Sequence, residues 1–168
     1  MNENENYTTL EILGIAIKSE VEAIKLYNRM KELTKNGDLK GKLDFLIEQE
    51  KKHEYLLTEA YRKKFPEVKL SLPEKSLVPS VSKVLEEGGD LKKLFDAALE
   101  AEKKSEEFYK ELAEKTNDQN SKKMLLYLSG MEKSHYVILE AEYTQLQTTE
   151  EYNSEEFLRG DRLMNMGP

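Results

Sequence analysis

The chain has two histidines, and each follows a glutamate by three residues, in Glu50-Lys-Lys-His53 and Glu132-Lys-Ser-His135. Residues three apart on a helix share a face, so each segment presents a carboxylate and an imidazole side by side. That donor set suits iron or manganese better than calcium or magnesium, which prefer oxygen alone. Two more acids, Glu20 and Glu102, stand where helical periodicity calls for an apolar residue. One stripe reads Leu13, Ile17, Glu20, Ile24, Tyr27; another reads Phe95, Ala98, Glu102, Ser105, Tyr109, Leu112. Glu50 and His53 interrupt Leu39, Leu43, Leu46 and Leu57, as Glu132 and His135 interrupt Leu128 and Leu139. Spacings of three and four mark the buried face of an amphipathic helix. Neighbouring acids such as Glu22, Glu48 and Glu54 fall off the stripes and read as solvated.

Ionised carboxylates gathered in a core repel one another, and each costs on the order of several kcal/mol to desolvate. Protons, buried Lys or Arg, or metal ions can compensate them. No Lys or Arg shares these stripe positions. Four glutamates carry −4 and two divalent cations carry +4, so a metal pair with neutral imidazoles balances the group. With no cysteine in the sequence, disulfides, zinc ribbons, iron–sulfur clusters and rubredoxin-type iron are excluded within these residues. Metal here is held by oxygen and imidazole.

Caps and breaks give the elements that position these groups. Thr8-x-x-Glu11 is a capping box opening a first helix that runs to about Lys35. Asn36-Gly37-Asp38 separates it from a second, about Leu39 to Phe65, which Pro66 stops. A long connection holding Pro73 and Pro79 carries a short helix around Ser80 to Glu87. Gly88-Gly89-Asp90 opens the third long helix. The fourth starts after Asn117-Asp118 and runs to about Gln147, followed by a less regular tail, 148–168, with a short helix around Ser154 to Arg159. The expected fold is all-α, an antiparallel four-helix bundle over residues 1–147 with a long crossover between its second and third long helices. The tail belongs to the same domain or to an oligomer interface, for which Phe157, Leu158, Leu163, Met164 and Met166 are candidates.

A shift of 82 residues carries Ile17 to Leu99, Glu20 to Glu102, Tyr27 to Tyr109, Glu50 to Glu132 and His53 to His135. An internal duplication is the economical explanation. The midpoint of Glu20 and Glu50 is position 35 and that of Glu102 and Glu132 is 117, each beside a turn. Residues equidistant from a hairpin turn sit at one level, here roughly 22 Å below it at 1.5 Å rise per residue. Four carboxylates and two imidazoles therefore converge on one slice of the bundle.

Length bounds the rest: 168 residues suffice for one domain with a real core. A formal charge of −7 argues against nucleic-acid binding, which needs a basic face. No stretch approaches the roughly 20 apolar residues of a membrane helix. Met1 to Tyr7 is acidic and polar, without signal-peptide features, so a cytoplasmic location is expected.

Taken together, Glu20-Val-Glu-Ala-Ile-Lys-Leu-Tyr27, Glu50-Lys-Lys-His53, Glu102-Lys-Lys-Ser-Glu-Glu-Phe-Tyr109 and Glu132-Lys-Ser-His135 resemble the rubrerythrin branch of the ferritin-like superfamily, over about residues 8 to 147. The resemblance implies two iron ions per site, with manganese also accepted, in a homodimer or larger assembly. It implies reaction of the reduced iron pair with hydrogen peroxide or dioxygen, Glu50 and Glu132 bridging and Glu20 and Glu102 terminal. Tyr27 and Tyr109 match family tyrosines that line the site and hydrogen-bond ligand carboxylates. Many members carry a rubredoxin domain; this chain has no cysteine for one, so a separate electron-donor protein such as a rubredoxin is expected. Peroxidase-type members also carry an extra glutamate where this chain has Ser105, and Glu106 is a candidate substitute. The alternative in the same superfamily is iron binding and oxidation for storage.

Overall fold

The computed structural model describes the backbone of residues 8–164 and the side chains of residues 8–148. Five helices follow one another: α1 (Thr9–Leu33), α2 (Gly37–Lys64), α3 (Pro79–Glu87), α4 (Leu91–Lys115) and α5 (Gln119–Met164). Their starts follow local chemistry. The Thr8 hydroxyl accepts from the Glu11 amide at 3.3 Å while the Glu11 carboxylate accepts from the Thr8 amide at 2.8 Å, closing the capping box. Asn36 accepts from the amides of Asp38 and Leu39, Asp90 from that of Lys93, and Asp118 from that of Ser121. Pro79 occupies the first turn of α3, where its missing N–H costs nothing. Gly88 ends α3 at φ +76°, a conformation glycine adopts without strain.

The chain folds as a ferritin-like helical bundle. Two antiparallel hairpins, α1/α2 and α4/α5, join chiefly where α1 meets α4, whereas α2 and α5 touch much more sparingly. The crossover lies over the α1/α4 side, with α3 against both helices. Glu22 fastens it. Rather than standing in solvent, this carboxylate is 9% exposed and accepts from the hydroxyls of Ser76 and Ser82. Lys18 pairs with it at 3.7 Å and donates to the Glu74 carbonyl. Glu48 is exposed, as expected, and Glu54 is half-buried.

One boundary differs from the sequence reading. The last helix does not stop at Gln147 but continues without interruption to Met164, so no separate short helix forms around Ser154. Thr144 and Thr148 donate their hydroxyls to the carbonyls of Glu140 and Thr144, one turn back. That bonding keeps such residues inside a helix, and no proline follows before residue 168. The side chains of Phe157, Leu158, Leu163 and Met164, and all of Met166, lie outside the described residues.

The apolar core comes in two parts. One includes Leu26, Met30, Leu43, Leu46, Phe95 and Leu139; the other includes Ile17, Leu57, Tyr61, Phe108 and Leu128. Along every long helix the positions between the two parts are the polar ones: Glu20 in α1, Glu50 and His53 in α2, Glu102 in α4, Glu132 and His135 in α5. Each buried Leu contributes about 1.5–3 kcal/mol, so the two layers hold the slice between them in place. Among the described residues no helix is long and apolar enough to cross a membrane.

Candidate metal centre

All six polar residues of the stripes meet in that slice. Glu50, His53 and His135 are wholly shielded from solvent, and Glu20, Glu102 and Glu132 are 2–3% exposed. The Nδ1 atom of His53 lies 3.0 Å from Glu50 Oε2, 3.0 Å from Glu132 Oε1 and 3.7 Å from Glu20 Oε2. The Nδ1 atom of His135 lies 2.8 Å from Glu50 Oε1 and 3.6 Å from Glu102 Oε2. The two oxygens of Glu50 thus face different imidazoles, and this carboxylate spans both halves of the site. The imidazole rings stack at 5.4 Å between centroids.

The tyrosines complete an approximate twofold relation. Tyr27 donates its hydroxyl to Glu102 Oε1, and Tyr109 donates its hydroxyl to Glu20 Oε1. Each tyrosine lies on the same helix as one outer glutamate and holds the other one, so the bonds cross between α1 and α4. Both rings are fully buried. Glu106 is not drawn in: it is half-buried, and its main-chain carbonyl accepts from Ser129. Ser105 is buried and faces Ser19, 3.3 Å between hydroxyls.

Several of these atoms are close without being bonded. Glu50 Oε1 and His135 Nδ1 are only 2.8 Å apart, yet both are buried atoms that complete no hydrogen bond, as are Glu102 Oε2 and Glu132 Oε1. Buried polar atoms normally find partners. Donors that approach one another off the hydrogen-bonding axis are arranged as ligands are, aimed at a shared point. Glu50, His53, Glu132 and His135 each offer one atom within 4.8 Å of all the others, a spread that one cation can bridge. The donor set of carboxylate oxygens and imidazole nitrogens fits iron or manganese. The Nε2 atoms of both histidines have no partner among the described residues. On one flank, the half-exposed Tyr127 sets its ring edge-on to His53 at 6.3 Å.

Without metal, protons balance the slice. Burial pushes the Glu20 carboxyl up to about 8, and burial with the charges of Glu50, Glu20 and Glu102 pushes Glu132 well above its usual range. Burial acts the same way on Glu50, but the imidazoles of His135 and His53 beside it outweigh burial and hold this carboxyl at about 2. Burial disfavours both imidazoliums, yet hydrogen bonds with Glu20 and Glu50 raise His53 to about 9. The adjacent carboxylates of Glu102 and Glu50 raise His135 to about 10. Burial and the surrounding carboxylates push Tyr109 well above a normal phenol, so its hydroxyl keeps the proton it donates to Glu20.

Comparison with known proteins points the same way. The family model for rubrerythrin matches residues 11–143. A solved structure of a hypothetical protein from Pyrococcus furiosus is similar, with a TM-score of 0.73 at 31% identity, covering 87% of this chain and 94% of that one. No curated protein matches.

Proposed function

Given that the chain belongs to the rubrerythrin family, we propose that it is a di-iron oxidoreductase reducing hydrogen peroxide or dioxygen. The observation that carries this reading is the set of shielded carboxylate and imidazole atoms that lie within bonding distance yet complete no hydrogen bond. In it, Glu20 with His53 and Glu102 with His135 are the outer ligands of two irons, and Glu50 and Glu132 lie between them. A bound iron pair supplies the two electrons that cleave an O–O bond.

The rest falls to the chain's own groups. The two apolar layers exclude bulk water and strengthen every electrostatic contact inside. Tyr27 and Tyr109 orient the outer carboxylates, and neutral phenols keep their protons beside them. Electrons for the next cycle come from a separate donor protein such as a rubredoxin, because no cysteine is present to hold one in this sequence. A homodimer working in the cytoplasm completes the proposal.

Anaerobic loading with ferrous iron followed by stopped-flow mixing tests it. The expected result is about two irons per chain and rapid oxidation by peroxide, by dioxygen, or by both. Equal sluggishness towards both oxidants would count against the reaction. Light scattering on the same sample separates a dimer from the hollow shell that iron storage needs.

A further inference from the structure

At the end of the bundle away from the Asn36 turn, the ends of all four long helices line a half-open cavity of about 1090 Å³. This is just above the range, roughly 300–1,000 Å³, that takes a whole small organic molecule. Each long helix contributes a leucine to the lining: Leu13 from α1, Leu56 from α2, Leu112 from α4 and Leu125 from α5. The charges around them are unequal. Arg62, Lys63, Lys64 and Lys115 give +4 and Glu59 and Asp118 give −2, a net +2 in a chain whose total is −7.

Much of the negative charge there is already engaged. Glu59 pairs with Arg62 at 2.8 Å, Asp118 caps α5 by accepting from the Ser121 amide, and among the cations Lys115 pairs with Glu111 at 3.6 Å. The Asp118 carboxylate lies in the field of both Lys63 and Lys64, and the two lysines exceed it by one positive charge. An apolar lining with an excess of positive charge at its rim matches a molecule with a hydrocarbon body and one anionic end.

We infer that this cavity binds a fatty-acid carboxylate, the chain along the four leucines and the head at Lys63 and Lys64. Leucine side chains fit a flexible alkyl chain, and burying each methylene contributes about 0.8 kcal/mol. The rim selects the sign of the head group. A cationic amphiphile of equal length meets the same hydrocarbon surface but the opposite charge, so discrimination between the two is the signature of the site. This inference does not depend on the iron chemistry, since none of these residues belongs to the six of the polar slice.

The test is calorimetric titration of the full, iron-loaded chain with dodecanoate, dodecyltrimethylammonium and butyrate. Saturable one-to-one binding of dodecanoate is expected, with butyrate and the ammonium at least about tenfold weaker. K63E/K64E should lose about tenfold or more in dodecanoate affinity. Ala60→Phe, which fills the lining without changing charge, should abolish binding. Circular-dichroism melts and iron content establish that both variants are folded with the slice intact. Equal binding of the two amphiphiles, no saturation below roughly 1 mM, or an unchanged affinity in K63E/K64E would each overturn the assignment. A failure here leaves iron binding and peroxide reactivity untouched, so the two readings fail separately.

Discussion

Titrating the metal-free protein with ferrous iron at pH 7 should expel about four protons per chain as two ions bind. The count comes from the slice itself. At pH 7 His53, at about 9, and His135, at about 10, are protonated. Glu132, well above its usual range, is protonated too. Glu20, at about 8, is about nine-tenths protonated. Electroneutrality gives the same number by another route. Four carboxylates at −4 need four protons, two on imidazoles and two on carboxyls, or two divalent ions. Metal ligation requires deprotonated carboxylates and neutral imidazoles, so binding exchanges one set of positive charges for the other. Affinity should therefore rise with pH, by about a hundredfold per ion per unit between pH 6 and 7, and level off above pH 10. Anaerobic calorimetry in buffers of different ionisation enthalpy reads the proton number directly. Release of one proton or fewer per chain, or an affinity flat between pH 6 and 8, would refute the charge argument.

Three further outcomes follow from the same geometry. The metal-free protein should lose thermal stability as pH rises from about 5 to 9, measured by calorimetry, while the metal-loaded form changes less. The sign is fixed because Glu20, His53 and His135 all bind protons more tightly folded than unfolded; their contribution is greatest at low pH and falls as the folded values are passed. Glu132→Leu should abolish binding of the iron pair yet leave the metal-free fold as stable or about 1–4 kcal/mol more stable in urea, because it removes a buried acid. Glu22→Ala should cost about 1–3 kcal/mol by leaving the hydroxyls of Ser76 and Ser82 without their acceptor. Hydrogen exchange should rise in residues 76–87 and not in α2.

The polar slice was legible because each of its members breaks an apolar stripe at a position the helical period reserves for the core. Glu20 between Ile17 and Ile24, and Glu132 between Leu128 and Leu139, are visible for that reason. Equidistance from the turns then placed them at one height, and the structure brings all six together. Glu22 was missed because its partners, Ser76 and Ser82, come from the crossover, more than fifty residues away in sequence, whose path over α1 no periodicity of α1 reveals. It lies off the stripe of α1 and is buried only because the crossover covers it. Glu106 illustrates the converse. It holds the place in the repeat that Ile24 fills in α1, but its helix turns it out of the cluster. The extension of α5 was hidden by threonines whose side chains satisfy themselves within the helix.

Both histidines stand on α2 and α5, the most lightly joined of the neighbouring long helices, which are tied together by the ion pair of Lys42 with Glu142. The outer glutamates stand on α1 and α4, which are clamped by the tyrosine bonds and covered by the crossover. A small widening between α2 and α5 therefore parts His53 from Glu132 first and leaves Glu20 and Glu102 held. The firmly joined pair of helices thus carries two of the four carboxylates, and the lightly joined pair carries the other two together with both imidazoles.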